Sequence, residues 1–277
     1  VTGVQTCALP ILACEGQCSG NISIQAGDSI LLNGRGGNLQ LSAGDGTNLR
    51  GGAGGSVSIS AGQGKGQEAY GADRGDGGSI FVSSGDSVDG HGGNLTMMAG
   101  ASTFDNGGHV QLVSGASASR LSGSITIISA SGGVSSGNVY LQSGNSKFST
   151  GTLHLSTGET ISGRSGAIVI RAGLSRRATG GDVYIAAGES DTLTGGKISI
   201  ISGLGHVSSS GMIDVKSADA THAGESGSVS LASGRGARAS GKVTINSGNI
   251  LNRGTAGNIV IEAGLSNEER SADVLIA

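Results

Sequence analysis

Hydrophobic and polar residues alternate in an eight-residue phrase that recurs along the whole chain. At Gly257 it reads Gly-Asn-Ile-Val-Ile-Glu-Ala-Gly. The third and fifth residues are Val, Ile, Leu or Met in all seventeen copies, whereas the second, fourth and sixth are mixed and mostly polar. Alternation with a period of two favours a β-strand over a helix. The other copies start at Gly20, Gly37, Gly55, Gly78, Gly93, Gly108, Gly123, Gly137, Gly151, Gly166, Gly181, Gly196, Gly211, Gly227, Gly241 and Ala272.

The linkers between phrases argue against a series of hairpins. From Gly78 onward successive phrases usually start fifteen positions apart, and the steps before Gly78 are longer. Hairpin loops typically have two to five residues, so these linkers are long enough to carry the chain round and back. Identical phrases would then stack as parallel strands, each coil contacting only its neighbours. The predicted fold is all-β: a single-domain parallel β-solenoid of about 17 coils with about 15 residues per coil.

Two features refine this prediction. The seventh residue of each complete phrase is Ala, Ser or Thr, and the eighth is Gly in fourteen of sixteen copies. We interpret the eighth position as a corner where the chain turns through positive φ, which Gly adopts at little cost. Leu193, Ala178, Phe148 and Val134 each lie three residues before the next phrase, and they are predicted to insert from a second, thinner wall.

Residues 1–19 lack the phrase and form a non-repeat leader, followed by the repeat array from 20 to 277. Residues 1–11 resemble translated sequencing-adaptor sequence; a truncated targeting segment and a true mature N-terminus are the alternatives. Cys7, Cys14 and Cys18 are the only cysteines, and whether Cys14 and Cys18 form a disulfide stays open. The array is interpreted as a fragment of a longer protein, because no terminal cap follows the last phrase.

Composition narrows the candidate partners. The 55 glycines would suit disorder, but a disordered linker has no reason to keep aliphatic residues at alternating positions. The net charge is −3 and no basic stripe is present, so nucleic acid is not expected as a partner. The chain has six aromatic residues and no Trp, too few for a stacking platform. No segment reaches the length of a membrane span.

The short motifs are each better explained by chance or by solvated surface. Arg74-Gly75-Asp76 matches an integrin-binding tripeptide, and Asn21 and Asn94 begin glycosylation sequons. The aspartates are too irregular for the nine-residue calcium-binding repeat. Glycoside hydrolysis needs paired carboxylates, yet the outward positions offer only separated groups. The candidate groups are Asp214 and Glu262 among the acids, His109 and His154, which are expected to be exposed, and the linker cluster of Glu189, Asp191, Arg176 and Arg177.

The repeat resembles two groups of proteins. Its fullest form, Gly-Gly-Asn followed by alternating aliphatics and Ala-Gly, occurs at residues 36–44 and 92–100. This phrase is similar to those of filamentous-haemagglutinin-type bacterial adhesins and of large Gly/Ser-rich repeat proteins in unicellular algae. The resemblance implies a parallel β-helix, secretion or surface display, and a structural or adhesive role. It supplies no catalytic residues.

The sequence therefore predicts a structural or adhesive rod without catalysis, secreted or at the cell surface. Surface polysaccharide or other solenoid copies are the candidate partners. The alternatives are a solenoid face that binds ice, glycan or mineral, and a polysaccharide-degrading β-helix enzyme. A regular outward Thr column would favour the first alternative and a carboxylate cluster the second. No catalytic, cofactor-binding or metal-ligating residue and no cofactor is expected.

Overall fold

The computed structural model describes residues 21–48, 50–65, 75–221, 224–251, 253–265 and 272–276. These residues form neither helix nor β-strand. The predicted parallel β-solenoid, with its stacked coils, is therefore wrong, and so is the description of the chain as a parallel β-helix. The predicted leader at residues 1–19 lies outside the described residues.

The reason for this failure is the absence of pairing between phrase interiors. A strand in a sheet exchanges backbone hydrogen bonds with a neighbour along its length. In the described part of the chain, backbone hydrogen bonds join only phrase ends, apart from three short turn bonds at Gly34, Gly51 and Gly52. The alternation describes a single segment, and it carries no information about which other segment, if any, pairs with the phrase.

The side chains predicted to form the core are exposed. Among the described residues none is buried. The third residues of the phrases are 49% to 65% exposed and the fifth residues 60% to 88%. Ile168, Ile170, Val183 and Ile185, which the solenoid would have buried, all face solvent. The predicted second wall is also wrong, because Val134 and Phe148 are almost fully exposed and Leu193 is largely so.

What the structure does show is a recurring junction, defined here as the contact between the end of one phrase and the start of the next. At nine junctions the N–H of the starting Gly donates a hydrogen bond to the C=O of the preceding phrase's final Gly, as from Gly196 to Gly188 at 2.9 Å. The linker between them is thereby closed into a loop. The other eight donors are Gly37, Gly55, Gly78, Gly93, Gly108, Gly123, Gly181 and Gly211.

Each junction also explains why two phrase positions are small. A Cβ added to the starting Gly would lie 3.1 to 4.0 Å from the side chain of the preceding seventh residue at fourteen junctions. At Gly196 the distance to the Cβ of Ala187 is 3.1 Å, which is tighter than ordinary van der Waals contact. Close approach therefore favours Gly at the six junctions where this distance is 3.1 to 3.3 Å, namely Gly37, Gly55, Gly78, Gly93, Gly181 and Gly196, whereas the longer distances are ordinary contact and a Cβ at Gly257 would meet nothing within 4 Å. The seventh residues include most of the least exposed positions of the described chain, among them Ala26, Ala187 and Ala263.

The final Gly of the phrase does not have the role predicted for it. The only described glycines with positive φ are Gly51, Gly75, Gly163 and Gly254, and all four lie in linkers. A Cβ added to the final Gly188 would meet no atom within 4 Å. The prediction that the eighth residue turns the chain through positive φ is therefore wrong.

The chain divides into two units, Val1–Leu141 and Gln142–Ala277. In the first unit six junctions are closed by the Gly–Gly hydrogen bond, from Gly37 to Gly123. In the second unit three are closed, at Gly181, Gly196 and Gly211. Linker length accounts for part of the difference, because no bond forms where the final residue precedes the next start by only seven positions, as at Gly137, Gly151 and Gly241.

Candidate interaction surface

The exposed phrases present the same pair of aliphatic side chains again and again. In every described phrase the third and fifth residues are exposed, as Ile198 and Ile200 illustrate at 52% and 71%. Single exposed apolar residues are normal on a protein surface, whereas many together indicate an interaction surface. The repeated aliphatic pair is therefore the main candidate for contact with a partner.

Three consecutive phrases carry an additional apolar residue that sequence reasoning missed. Met98, Val113 and Ile128 are the sixth residues of the phrases starting at Gly93, Gly108 and Gly123, so they recur at the usual phrase spacing. They are 85%, 75% and 79% exposed. We call these three residues the apolar triplet. The signal was present in the sequence, but it was hidden by treating the sixth position as generally polar.

The linkers contain a second feature that sequence reasoning missed. Two residues after the final Gly, a Ser side chain accepts a hydrogen bond from the backbone N–H three residues further on. In the loop from Gly188 to Gly196, Leu193 donates to Ser190 Oγ at 3.0 Å. Such local bonds hold a turn without a regular backbone ladder. The serines in this role are Ser87, Ser102, Ser117, Ser175 and Ser190.

Where this linker position is Gly, the backbone comes too close for any side chain. A Cβ added to Gly205 would collide with the carbonyl oxygen of Ser209, and one added to Gly46 would collide with that of Ala53. The same position thus has two solutions: Ser bonds the loop through its side chain, and Gly lets the backbone fold in closely. The spacing of two from the final Gly would have revealed both from sequence.

Charged side chains are dispersed and exposed. One ion pair is found in the described part of the chain, between Lys216 Nζ and Asp214 Oδ2 at 3.0 Å within a single phrase. Both side chains are at least half exposed, so the pair contributes little to stability. Asp214, which is one of the candidate acids from the sequence, thus forms an ion pair with the neighbouring Lys216.

The other candidates from the sequence are not brought together. Glu189, Asp191, Arg176 and Arg177 are exposed and form no ion pair in the part of the chain that the structure describes. Glu262 is also exposed and lies in a different phrase from Asp214. Across the described ranges, no group of three His, Cys, Asp or Glu residues is arranged to hold a metal ion.

The remaining motif residues lie on the surface or outside the described ranges. His109 and His154 are exposed. Asn21 and Asn94, the first residues of the two sequons, are also exposed. Arg74 lies outside the described residues, so the structure does not describe the Arg-Gly-Asp tripeptide as a unit. Cys7, Cys14 and Cys18 lie outside them too.

Comparison with known proteins adds no assignment. No family model, no curated protein sequence and no solved structure matches this chain. Among the described residues there is no helix long and apolar enough to span a membrane. The exposed phrases and their junctions are therefore the features of the described chain that bear on its function.

Proposed function

We propose that the chain has a structural or adhesive role without catalysis, secreted or at the cell surface. The observation that supports it is the repeated exposure of the same aliphatic pair between loops of recurring construction. A partner surface would meet many equivalent weak contacts rather than one strong one. Linked weak contacts can raise the overall affinity by a factor of about 10²–10⁴ without any new contact.

The distribution of chemical groups supports the non-catalytic part of the proposal. General acid–base catalysis needs at least two groups within reach of one substrate. In the described chain the closest oppositely charged groups, Asp214 and Lys216, are exposed and paired with each other. The proposed location rests on the resemblance of the repeat to surface adhesins.

A test of adhesion can use the phrases of the second unit. The variant replaces three fifth residues, Ile170, Ile185 and Ile200, with Ser. The matched control makes the same kind of change at three exposed linker residues, Leu174, Leu193 and Leu204. Dissociation from apolar and polysaccharide films is measured by a quartz-crystal microbalance. The phrase variant is expected to dissociate at least about tenfold faster, because several linked contacts are weakened together.

Two results would count against the proposal. If the linker control dissociates from the films as fast as the phrase variant, any exposed aliphatic side chain contributes to adhesion and the phrase has no special role. If the wild-type chain is not retained on any film, the chain has no adhesive role. Incubation with a panel of polysaccharides is expected to leave them intact. New reducing ends or unsaturated products would show that the chain is an enzyme.

A further inference from the structure

We infer that two copies of this chain associate in an antiparallel arrangement through the phrases starting at Gly93, Gly108 and Gly123, with Val113 on the two-fold axis. This contact is separate from the proposed adhesion, which is tested on the second unit. It depends on three observations in the first unit: the apolar triplet, the absence of charge within these phrases, and the charges of the two linkers between them.

The apolar content of these three phrases is unusual for the chain. Each has aliphatic residues at its third, fifth and sixth positions, whereas its second and fourth residues are polar. In the other thirteen complete phrases the sixth residue is a large aliphatic only at Ile201, is charged at Arg171, Lys216 and Glu262, and is Ser, Gln, Asn or Ala in the rest. The nine side chains concerned are Leu95, Met97, Met98, Val110, Leu112, Val113, Ile125, Ile127 and Ile128, and they are 54% to 85% exposed.

The apolar area of the contact indicates a weak dimer. A fully exposed aliphatic side chain of this kind offers roughly 60–120 Å² of apolar surface. The sixth residue lies on the face opposite the third and fifth, so a partner centred on Val113 covers the apolar triplet. At the observed exposures, the triplet presents roughly 140–290 Å² in one copy, and two copies present roughly 290–570 Å². A standard interface of about 1,600 Å² contains about 900 Å² of apolar surface, so a second copy is expected to bind weakly and at high protein concentration.

The phrases also lack the features that keep exposed extended segments apart. Charged residues and Pro normally protect such segments from pairing with another chain. The three phrases contain no Asp, Glu, Lys, Arg or Pro. Their interior backbone groups make no hydrogen bond to other backbone groups in the described residues. These groups are thus available for pairing with a second copy, which has the same phrase spacing.

Linker charges determine the direction of the pairing. Asp105 lies in the linker before the central phrase and Arg120 in the linker after it, and both are exposed. Counting outward from Val113 in an antiparallel pair, Asp105 of one copy comes opposite Leu121 of the other, next to Arg120. A parallel pair in register would place Asp105 on Asp105 and Arg120 on Arg120. Opposite charges across an interface favour the first arrangement.

Sedimentation equilibrium of the full chain over a wide concentration range tests this inference. The mass is expected to rise from that of the 26.8 kDa monomer to twice that value. Changing Met98, Val113 and Ile128 together to Lys is expected to weaken dimerisation at least about a hundredfold, because six lysine side chains would lose water in the dimer. The matched control changes three exposed sixth-position serines, Ser42, Ser60 and Ser156, to Lys and is expected to dimerise normally.

A charge exchange keeps the inference testable if the lysine variant does not fold. Asp105→Arg alone is expected to weaken dimerisation about two- to fivefold, as for an exposed ion pair, and Asp105→Arg with Arg120→Asp to restore it. A wild-type chain that stays monomeric at all concentrations overturns the inference, because no second copy then covers the apolar triplet. Equal effects of the two lysine sets, or no restoration by the charge exchange, also overturn it.

Discussion

Replacing Gly196 with Ala is the sharpest test of the junction. The added Cβ would lie 3.1 Å from the Cβ of Ala187, and 3.2 and 3.4 Å from the backbone N and O of Gly188. None of these atoms is the end of a flexible side chain, so relief requires the backbone to move. We therefore expect the hydrogen bond from Gly196 to Gly188 to lengthen or break.

Gly188→Ala provides a matched control because it alters the other partner of the same hydrogen bond. A Cβ there meets nothing within 4 Å, and both substitutions restrict the unfolded chain to the same extent. At a compatible position Gly→Ala stabilises by about 0.4–1 kcal/mol. At Gly196 that gain is opposed by an overpacking cost of about 1–3 kcal/mol and by loss of a hydrogen bond worth about 0.5–1.5 kcal/mol.

Amide hydrogen exchange of residue 196, followed by NMR, measures opening of the single junction. The two variants should differ by about 1.5–4.5 kcal/mol in opening free energy, which corresponds to at least a tenfold difference in exchange rate after correction for intrinsic rates. Exchange should be faster in Gly196→Ala and unchanged or slower in Gly188→Ala. Equal rates in the two variants, or greater damage from Gly188→Ala, would refute the steric account of the junction.

Two further predictions concern the linker position after the final Gly. Ser190→Ala removes the acceptor for the Leu193 N–H and is expected to cost about 0.5–1.5 kcal/mol, seen as faster exchange of the Leu193 amide; an unchanged rate would show that the bond does not hold the loop. Gly205→Ser is expected to open its loop, although Ser occupies the same position elsewhere, because a Cβ would collide with the carbonyl oxygens of Ser208 and Ser209. Retained protection of the Gly211 amide in that variant would contradict this expectation.

The sequence revealed the repeat and its small residues, but it did not reveal how the phrases are partnered. Ile168 and Ile170 alternate as a strand should, yet alternation describes one segment, and a sheet requires a second segment at hydrogen-bonding distance. The solenoid prediction requires linkers of this length to return each phrase onto the previous one, and the described residues show no such pairing of phrase interiors. The sequence shows that Gly196 and Ala187 occupy phrase positions that are small throughout the repeat. The reason, which is the close approach of these two residues at the junction, is visible only in the structure.

The surface features could have been predicted more completely than they were. Met98, Val113 and Ile128 recur once in each of three successive phrases, and the serines two positions after the final Gly recur in the same way. Both signals become visible when the residues at one position of the repeat are compared across successive phrases. The positive-φ prediction for Gly188 failed for a different reason: Gly also occurs outside left-handed turns, and the sequence alone does not show which backbone conformation a given Gly adopts.

Closure of the linkers has a consequence for how such a chain can change over generations. The bond from Gly78 to Gly62 closes the long linker 63–77 at 2.9 Å, and the bond from Gly93 to Gly85 closes the linker 86–92, about half as long, at the same distance. Doubling a flexible loop costs only about 0.6 kcal/mol. Insertions into a closed linker are therefore absorbed locally, and foreign peptides grafted there should leave the neighbouring phrases joined as before.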